Sequence, residues 1–250
     1  MAALRQLTLD LPQRPALGRE DFVVAPCNET AVAWIDRWPD WPQPVLAVHG
    51  PPGAGKSHLA QVWRRASRAQ EVSPEAFETG DPPELVGAEL AGEGEAVLIE
   101  DVDRLLAAGD PAREERLLHL YNLVLEARGQ ILMTAAAAPA RWPCGLPDLR
   151  SRLAAAHAVA LGPPDDRLIE ALLIKLFSDR QLRVSGPVVR YLLPRVERSF
   201  AALRALVGAI DEAALSNHRD ISVSLVRRVL ETMGPETASE AGEDDHGSRN

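Results

Sequence analysis

Lysine is almost missing from this chain. Of its 27 cationic residues only Lys56 and Lys175 are lysines, and the rest are arginines. Cysteine is equally scarce. Cys27 and Cys144 are too few for a disulfide framework or a four-ligand zinc site, and a reducing cytoplasm suits them. No apolar run approaches the roughly 18 residues that a membrane-spanning helix needs, and the opening MAALRQLTLD has no apolar stretch of the secretory kind. An excess of positive charge is also absent. The formal net charge is −9, which makes a poor standing binder of nucleic acid. What is present is ordinary for a globular protein: 46% hydrophobic and 25% charged residues over 250 positions. Such a chain can hide roughly 70–75% of its unfolded surface, so collagen-like, coiled-coil and wholly disordered classes are excluded.

Part of the acidity is local. Residues 235–250 read PETASEAGEDDHGSRN, where five acids against Arg249 supply −4 of the −9. No large apolar residue offsets the entropy of ordering this tail, so disorder is expected there. Residues 1–20 read as an extended arm broken by Pro12 and Pro15.

Between these ends the pattern changes once. Asn28 reads as the N-cap of a helix over about Glu29–Trp38. Val45–His49, Ala96–Ile99 and Gln130–Thr134 are short apolar runs that read as buried strands. Helices are expected from about Lys56 to Arg68 and from Pro111 to Gly129. Asp110 would cap the second of these, and Glu114 and Glu115 suit the positive end of its dipole. Its apolar stripe runs through Leu117, Leu120, Tyr121, Val124 and Leu125. Residues 71–95 show little period, and Asp103 reads as a helix-start residue. Strands alternating with helices predict an α/β domain with a mainly parallel sheet over 21–162. From Pro163-Pro164 onward only helical patterns remain. One stripe through Ile169, Leu172, Leu173 and Leu176, and further helices near 185–196, 199–217 and 222–233, predict a small all-helical domain over 163–234.

The sharpest local signal is Gly50-Pro51-Pro52-Gly53-Ala54-Gly55-Lys56-Ser57. It satisfies G-x-x-x-x-G-K-[ST] with a strand before it and a helix after it. Glycines let backbone N–H groups curl around phosphates, Lys56 would reach the terminal phosphates, and Ser57 would ligate Mg²⁺. The matching acidic pair is Glu100-Asp101, at the end of the second apolar run. One carboxylate would hold Mg²⁺ and the other would orient an attacking water. His49, His119 and Tyr121 read as packing residues, and Trp34, Trp38 and Trp41 as packing around the first helix, with an exposed partner patch as the alternative.

These motifs resemble the AAA+ module of the DnaA family of bacterial replication initiators, and more closely its short Hda-type members. The resemblance spans about residues 21–233. It rests on Phe22-Val23-Val24 with Asn28, HGPPGAGKSHL, LIEDVDRL, EERLLHLYNL, Gly145–Arg152 (GLPDLRSR) and the Pro163-Pro164-Asp165 entry to the helical part. It implies an AAA+ P-loop three-layer α/β domain followed by a helical lid, with adenine nucleotide (ADP or ATP, with Mg²⁺) between them. Phe22, Val23, Asn28 and His58 would then lie near that nucleotide. It also implies that Arg152 is an arginine finger acting on a neighbour's nucleotide, with Arg150 the weaker candidate.

Two further readings follow from the resemblance. Gln6-Leu7-Thr8-Leu9-Asp10-Leu11 is similar to peptides that dock on the bacterial sliding clamp: Gln6 would bond at the rim while Leu7, Leu9 and Leu11 fill an apolar groove. An edge strand or an idle tail is the competing reading of those six residues. The initiator family also carries a DNA-binding domain after its lid and an assembly domain before its body; here the expectation is a nucleotide module without either. The implied function is a negative regulator of replication initiation, cytoplasmic and associated with the nucleoid and replisome, whose partners are the DNA polymerase III sliding clamp and DnaA. A homodimer is compatible with it. Some family features are eroded: Glu100 stands where the initiators usually have aspartate, Thr134 is the last polar residue of its strand, and the lid arginine position falls at Ala201, leaving Arg198 or Arg204 as substitutes. Weak or absent ATPase activity of its own is therefore expected, with an autonomous ATPase of the helicase-loader or clamp-loader type as the alternative.

Overall fold

The computed structural model describes residues 22–79, 94–217 and 220–234. The Gln6–Leu11 peptide, the acidic tail and much of the 71–95 stretch lie outside them.

Five parallel strands form one sheet: β1 (Val45–His49), β2 (Gln70–Val72), β3 (Ala96–Ile99), β4 (Gln130–Ala135) and β5 (His157–Ala160). Their spatial order is β2-β3-β4-β1-β5. The three expected strands are present. Each carries at least three consecutive apolar residues because helices cover both sides of the sheet. Val45, Ala47, Val97, Ile99, Ile131 and Met133 enter one core; Leu46, Val48, Ala96, Leu98 and Leu132 enter the other. This is the period of two that a strand imposes.

Helices α1 (Glu29–Asp36) and α2 (Lys56–Ser67) bring their apolar residues into the second core, with Trp63 fully buried and stacked on Trp41 at 5.5 Å. Trp34, Trp38 and Trp41 all belong to this packing. The other core is closed by α3 (Ala76–Thr79), α4 (Val102–Ala107), α5 (Pro111–Glu126) and α6 (Pro147–Ala155). Asp110 caps α5 as expected, its carboxylate accepting from Ala112 N at 3.0 Å. Gly129 ends the turn after α5 for a steric reason. A Cβ there would lie 2.3 Å from the Glu95 carbonyl and 2.7 Å from Val124 Cγ1. Gly129→Ala is expected to destabilise the protein by about 1–3 kcal/mol, measured by denaturant unfolding.

The helical part follows Gly162: α7 (Asp166–Asp179), α8 (Gly186–Leu192), α9 (Phe200–Asn217) and α10 (Val223–Met233), with a 3₁₀ turn at Leu193–Arg195. Asp165 caps α7 through Leu168 N at 2.8 Å, and Ser222 caps α10 through Leu225 N at 3.3 Å. These helices bury a third core of their own, including Leu173, Phe177, Leu203, Val207 and Val226. The result is a three-layer α/β body with a small helical lid.

Several expectations are corrected. The first helix stops at Asp36, short of Trp38. Asn28 stands before it but does not cap it. Its Oδ1 accepts from Ala25 N at 2.8 Å and its Nδ2 donates to Val23 O at 3.0 Å, so it folds residues 23–28 on themselves. The weakly periodic stretch from 71 holds most of β2 and the short helix α3. Glu114 stands in the first turn of α5 as expected, and it is buried there.

Candidate functional site

The carboxyl ends of the parallel strands share one edge, where an open α/β sheet presents its loops. The segment after β1 is the glycine loop, and the turn after β3 carries Glu100 and Asp101. Gly50 is held against the end of β5: a Cβ there would meet the Leu161 carbonyl at 2.3 Å. Gly53 and Gly55 have φ of +75° and +96°, a region that favours glycine.

The loop runs into α2, whose N-terminus has no side-chain cap. The first N–H groups of a helix have no intrahelical acceptor, and together with the dipole they suit a phosphate. Lys56 bends back over this loop. Its Nζ donates to Gly50 O at 2.8 Å and to Pro51 O at 3.1 Å. Burial lowers its pKa from the ordinary lysine value, while Asp101, Asp103 and Glu100 act in the opposite direction. Ser57 is exposed in the first turn of α2.

The acidic pair is tied to its surroundings. Glu100 accepts from Gln61 Nε2 at 3.2 Å, and Gln61 also donates to Glu71 at 3.1 Å. Thr134 is buried in β4, and its hydroxyl accepts from Asp101 N at 3.1 Å. Asp101 has a positive φ of 52°, heads α4, and pairs with Arg104 at 3.3 Å. Asp103 is in the first turn of α4, where its Oδ2 accepts from Ala136 N at 2.9 Å. A pair of carboxylates beside a hydroxyl and a phosphate cradle suits Mg²⁺, which binds through a few protein oxygens together with phosphate and water.

A narrow cleft opens beside Gly53 and Gly55. Phe22, Val23 and Asn28 line it from one side, and Leu168, Ile169 and Leu172 of α7 from the other. His58 stands between Phe22 and Phe200, with ring centroids at 5.1 and 5.2 Å. The 22–28 segment spans both parts of the molecule. Phe22 packs in the body and Ala25 in the lid core, and Cys27 O accepts from Gly162 N at 2.8 Å. An apolar slot next to a phosphate cradle fits a flat heterocycle carrying phosphates.

The lid offers a cation. Arg198 lines the cleft, donates to Pro164 O at 3.0 Å and pairs with Asp166. Its neighbour Ser199 lies close enough that a Cβ on Gly53 would meet Ser199 Cβ at 3.1 Å. Of the two substitutes for the lid arginine, Arg198 is the one among the cleft-lining residues; Ala201 is exposed.

Arg152 lies elsewhere. It is on α6 and is not among the cleft-lining residues. Its Nε bonds Asp148 at 3.0 Å, its side chain is 39% exposed, and its guanidinium carbon sits 6.0 Å from the Tyr121 ring centroid. Burial raises the Tyr121 pKa, opposed by the Arg152 charge. Arg150, on the same helix, is exposed. The pairings of Gln61, Thr134, Arg104 and Tyr121 were not evident from sequence, since each joins segments whose approach only the fold creates or, for Arg104, a helix too short to show a period.

The three-layer body with its glycine loop and helical lid has the fold of the DnaA AAA+ domain. The Hda lid-domain family matches residues 165–230. The chromosomal replication initiator DnaA of Magnetococcus marinus is 26% identical over 231 residues, covering 84% of this chain and 50% of the relative. Domain III of DnaA from Thermotoga maritima superposes with a TM-score of 0.70 at 19% identity, over 89% of this chain and 98% of that one. AMPPCP-bound DnaA from Aquifex aeolicus gives a TM-score of 0.67 at 18% identity, over 88% and 70%. The chain is thus DnaA-like, with a lid of the Hda kind. It spans about half the length of the curated relative it matches.

Proposed function

We propose that this chain is a nucleotide-bound regulator of the DnaA initiator. It binds ADP or ATP with Mg²⁺ in the cleft, docks on the DNA-loaded sliding clamp through Gln6–Leu11, and presents Arg152 to the nucleotide of a neighbouring initiator. In this reading the initiator hydrolyses its ATP and becomes inactive, which prevents a second initiation.

The observation that carries the reading is the placement of Arg152: half exposed on α6, outside its own chain's cleft, and bound to an acid of its own helix. An exposed i,i+4 pair is worth about 0.3–0.5 kcal/mol, so exchanging Asp148 for a partner's phosphate costs little. The Hda-type lid and the AMPPCP-bound relative support the regulatory and nucleotide parts. In the chain's own cleft, bound Mg²⁺ would neutralise phosphate charge. The loop amides, Lys56 and Arg198 would position the phosphates, and Phe22, Val23 and Leu172 would exclude water from the base.

A second reading, an autonomous ATPase, is favoured by one arrangement. Lys56, Glu100, Asp101 and Thr134 converge on one edge of the sheet, with Thr134 bonded to the backbone of the acidic pair. The two readings differ in whose nucleotide is consumed. Labelled ATP is loaded on the initiator, and the chain is added with and without DNA-loaded clamp. Stimulated loss of that label supports the regulator; turnover of free ATP by the chain alone supports the autonomous enzyme.

The arm has its own test. Gln6→Ala combined with Leu9→Ala is expected to abolish co-elution with the clamp while leaving ADP affinity unchanged. Tethering raises effective concentration, so this variant should also lose most of the clamp-dependent stimulation. Undiminished co-elution would show that docking runs through another surface.

A further inference from the structure

Glu114 is 4% exposed, in the first turn of α5. Its carboxylate reaches the entry of another helix. Oε1 accepts from Gly145 N at 2.9 Å, Oε2 accepts from Leu146 N at 2.6 Å, and the Cys144 thiol lies 3.6 Å from Oε2. Leu146 occupies the N-cap position of α6 and supplies no side-chain cap; Pro147 follows at the first helical position. The cap of α6 therefore comes from α5, through space. Burial, then the Glu114 charge, push the Cys144 thiol up, so it stays protonated and can donate to the carboxylate.

These bonds are of the strong kind. A carboxylate accepting backbone N–H groups makes short, charge-assisted bonds, and a negative charge at a helix N-terminus is favoured by the dipole. Leu149 and Leu153 hold the buried side of α6 in the core. The Glu114 bonds add a second anchor, at the entry of the helix.

We infer that Glu114 is a positioning residue for the arginine finger: by gripping the Gly145 and Leu146 amides it sets the direction of α6 and so the place of Arg152. The inference rests on the reading that Arg152 acts in trans. The lever is long. Arg152 lies six residues beyond Leu146, about 9 Å along the axis, so a 10° swing about the anchored end moves its Cα by roughly 1.6 Å before the side chain adds reach. A misplacement of about 1 Å at a reacting centre can cost 10²-fold in rate. Glutamine has nearly the same shape but only one acceptor oxygen, and its amide group would oppose one of the two N–H donors.

The test compares wild type, Glu114→Gln and Arg152→Ala, with the chain titrated against ATP-loaded initiator on clamp-bound DNA. Maximal rate and half-saturating concentration are read separately. Glu114→Gln is expected to lower the maximal rate about 10–100-fold and to leave half-saturation within about twofold. Amide exchange of the chain alone should show Gly145 and Leu146 exchanging about 10–100-fold faster, with the β1 and β4 amides unchanged. A maximal rate equal to wild type, a loss confined to half-saturation, or unchanged exchange at 145–146 would each overturn the inference. Should Glu114→Gln fail to unfold cooperatively, Glu114→Asp, whose shorter reach also weakens the grip, is judged by the same measurements. A wild-type chain that fails to stimulate contradicts the function in trans; a wild type that stimulates with Glu114→Gln its equal contradicts only the positioning role.

Discussion

Arg152→Ala is expected to reduce the stimulated hydrolysis of initiator-bound ATP by about 10³–10⁵-fold, the range that an arginine supplied in trans contributes to phosphoryl transfer. The group removed acts on charge that develops at the γ-phosphate, so the loss falls on the rate and little on assembly. Folding should survive. The exposed pair with Asp148 is worth about 0.3–0.5 kcal/mol, and the contact over Tyr121 about 0.5–1 kcal/mol. Arg152→Lys should restore little, because an ammonium cannot reproduce the planar fork that grips two phosphate oxygens. Arg150 does not stand in. It is two residues away on the same helix, and residues at i and i+2 do not share a face. The measurement is initiator-bound label converted to ADP over time at equal clamp occupancy. Full activity of the alanine variant would move the assignment to Arg150.

Lys56→Ala is expected to weaken ADP binding by about 10–150-fold, the loss of one or more charge-assisted bonds to phosphate. Lys56 is already part of the loop, bonded to the Gly50 and Pro51 carbonyls. Its removal therefore takes away both the charge and a brace of the turn. Burial, the largest influence, lowers its pKa while Asp101, Asp103 and Glu100 raise it, so a bound phosphate would supply the counter-charge that burial makes scarce. The fold should persist, because Leu59, Ala60, Val62 and Trp63 continue to anchor α2 in the core. Calorimetry with ADP checks this. Equal affinity for wild type and variant would contradict the assignment of the loop.

The strands that could be read from sequence are the central ones. Val45–His49, Ala96–Ile99 and Gln130–Ala135 each carry a run of at least three consecutive apolar residues because helices cover both faces of the sheet. The edge strands escaped notice for the converse reason. Two of the three β2 residues are exposed, and in β5 only Val159 is buried. The lid helices were readable from their stripes and caps, since those signals are local. In the site, the glycine loop is contiguous and therefore visible. The bonds from Thr134 and Gln61 to the acidic turn join residues 33 and 39 positions apart and exist only once β3, β4 and α2 are adjacent. Glu114 shows how one signal serves two readings. An acid in a first turn suits the helix dipole at the surface. Yet it stands three residues before Leu117, on the face that Tyr121 and Val124 turn to the core, and the second placement is the one the fold uses. Arg198 was one of two substitutes in sequence; the cleft brings it to the Gly53 side of the lid.

The central claim is that hydrolysis takes place in the initiator's pocket and is driven by a group on this chain. It is tested most directly by a single-turnover experiment. Initiator carrying labelled ATP is purified free of unbound nucleotide and mixed with this chain and DNA-loaded clamp, and the bound label is followed as ATP and ADP. The account predicts rapid conversion with wild-type chain and conversion at the initiator's unstimulated rate with Arg152→Ala. Conversion equally fast with both chains, or no faster with wild-type chain than with initiator alone, would contradict it.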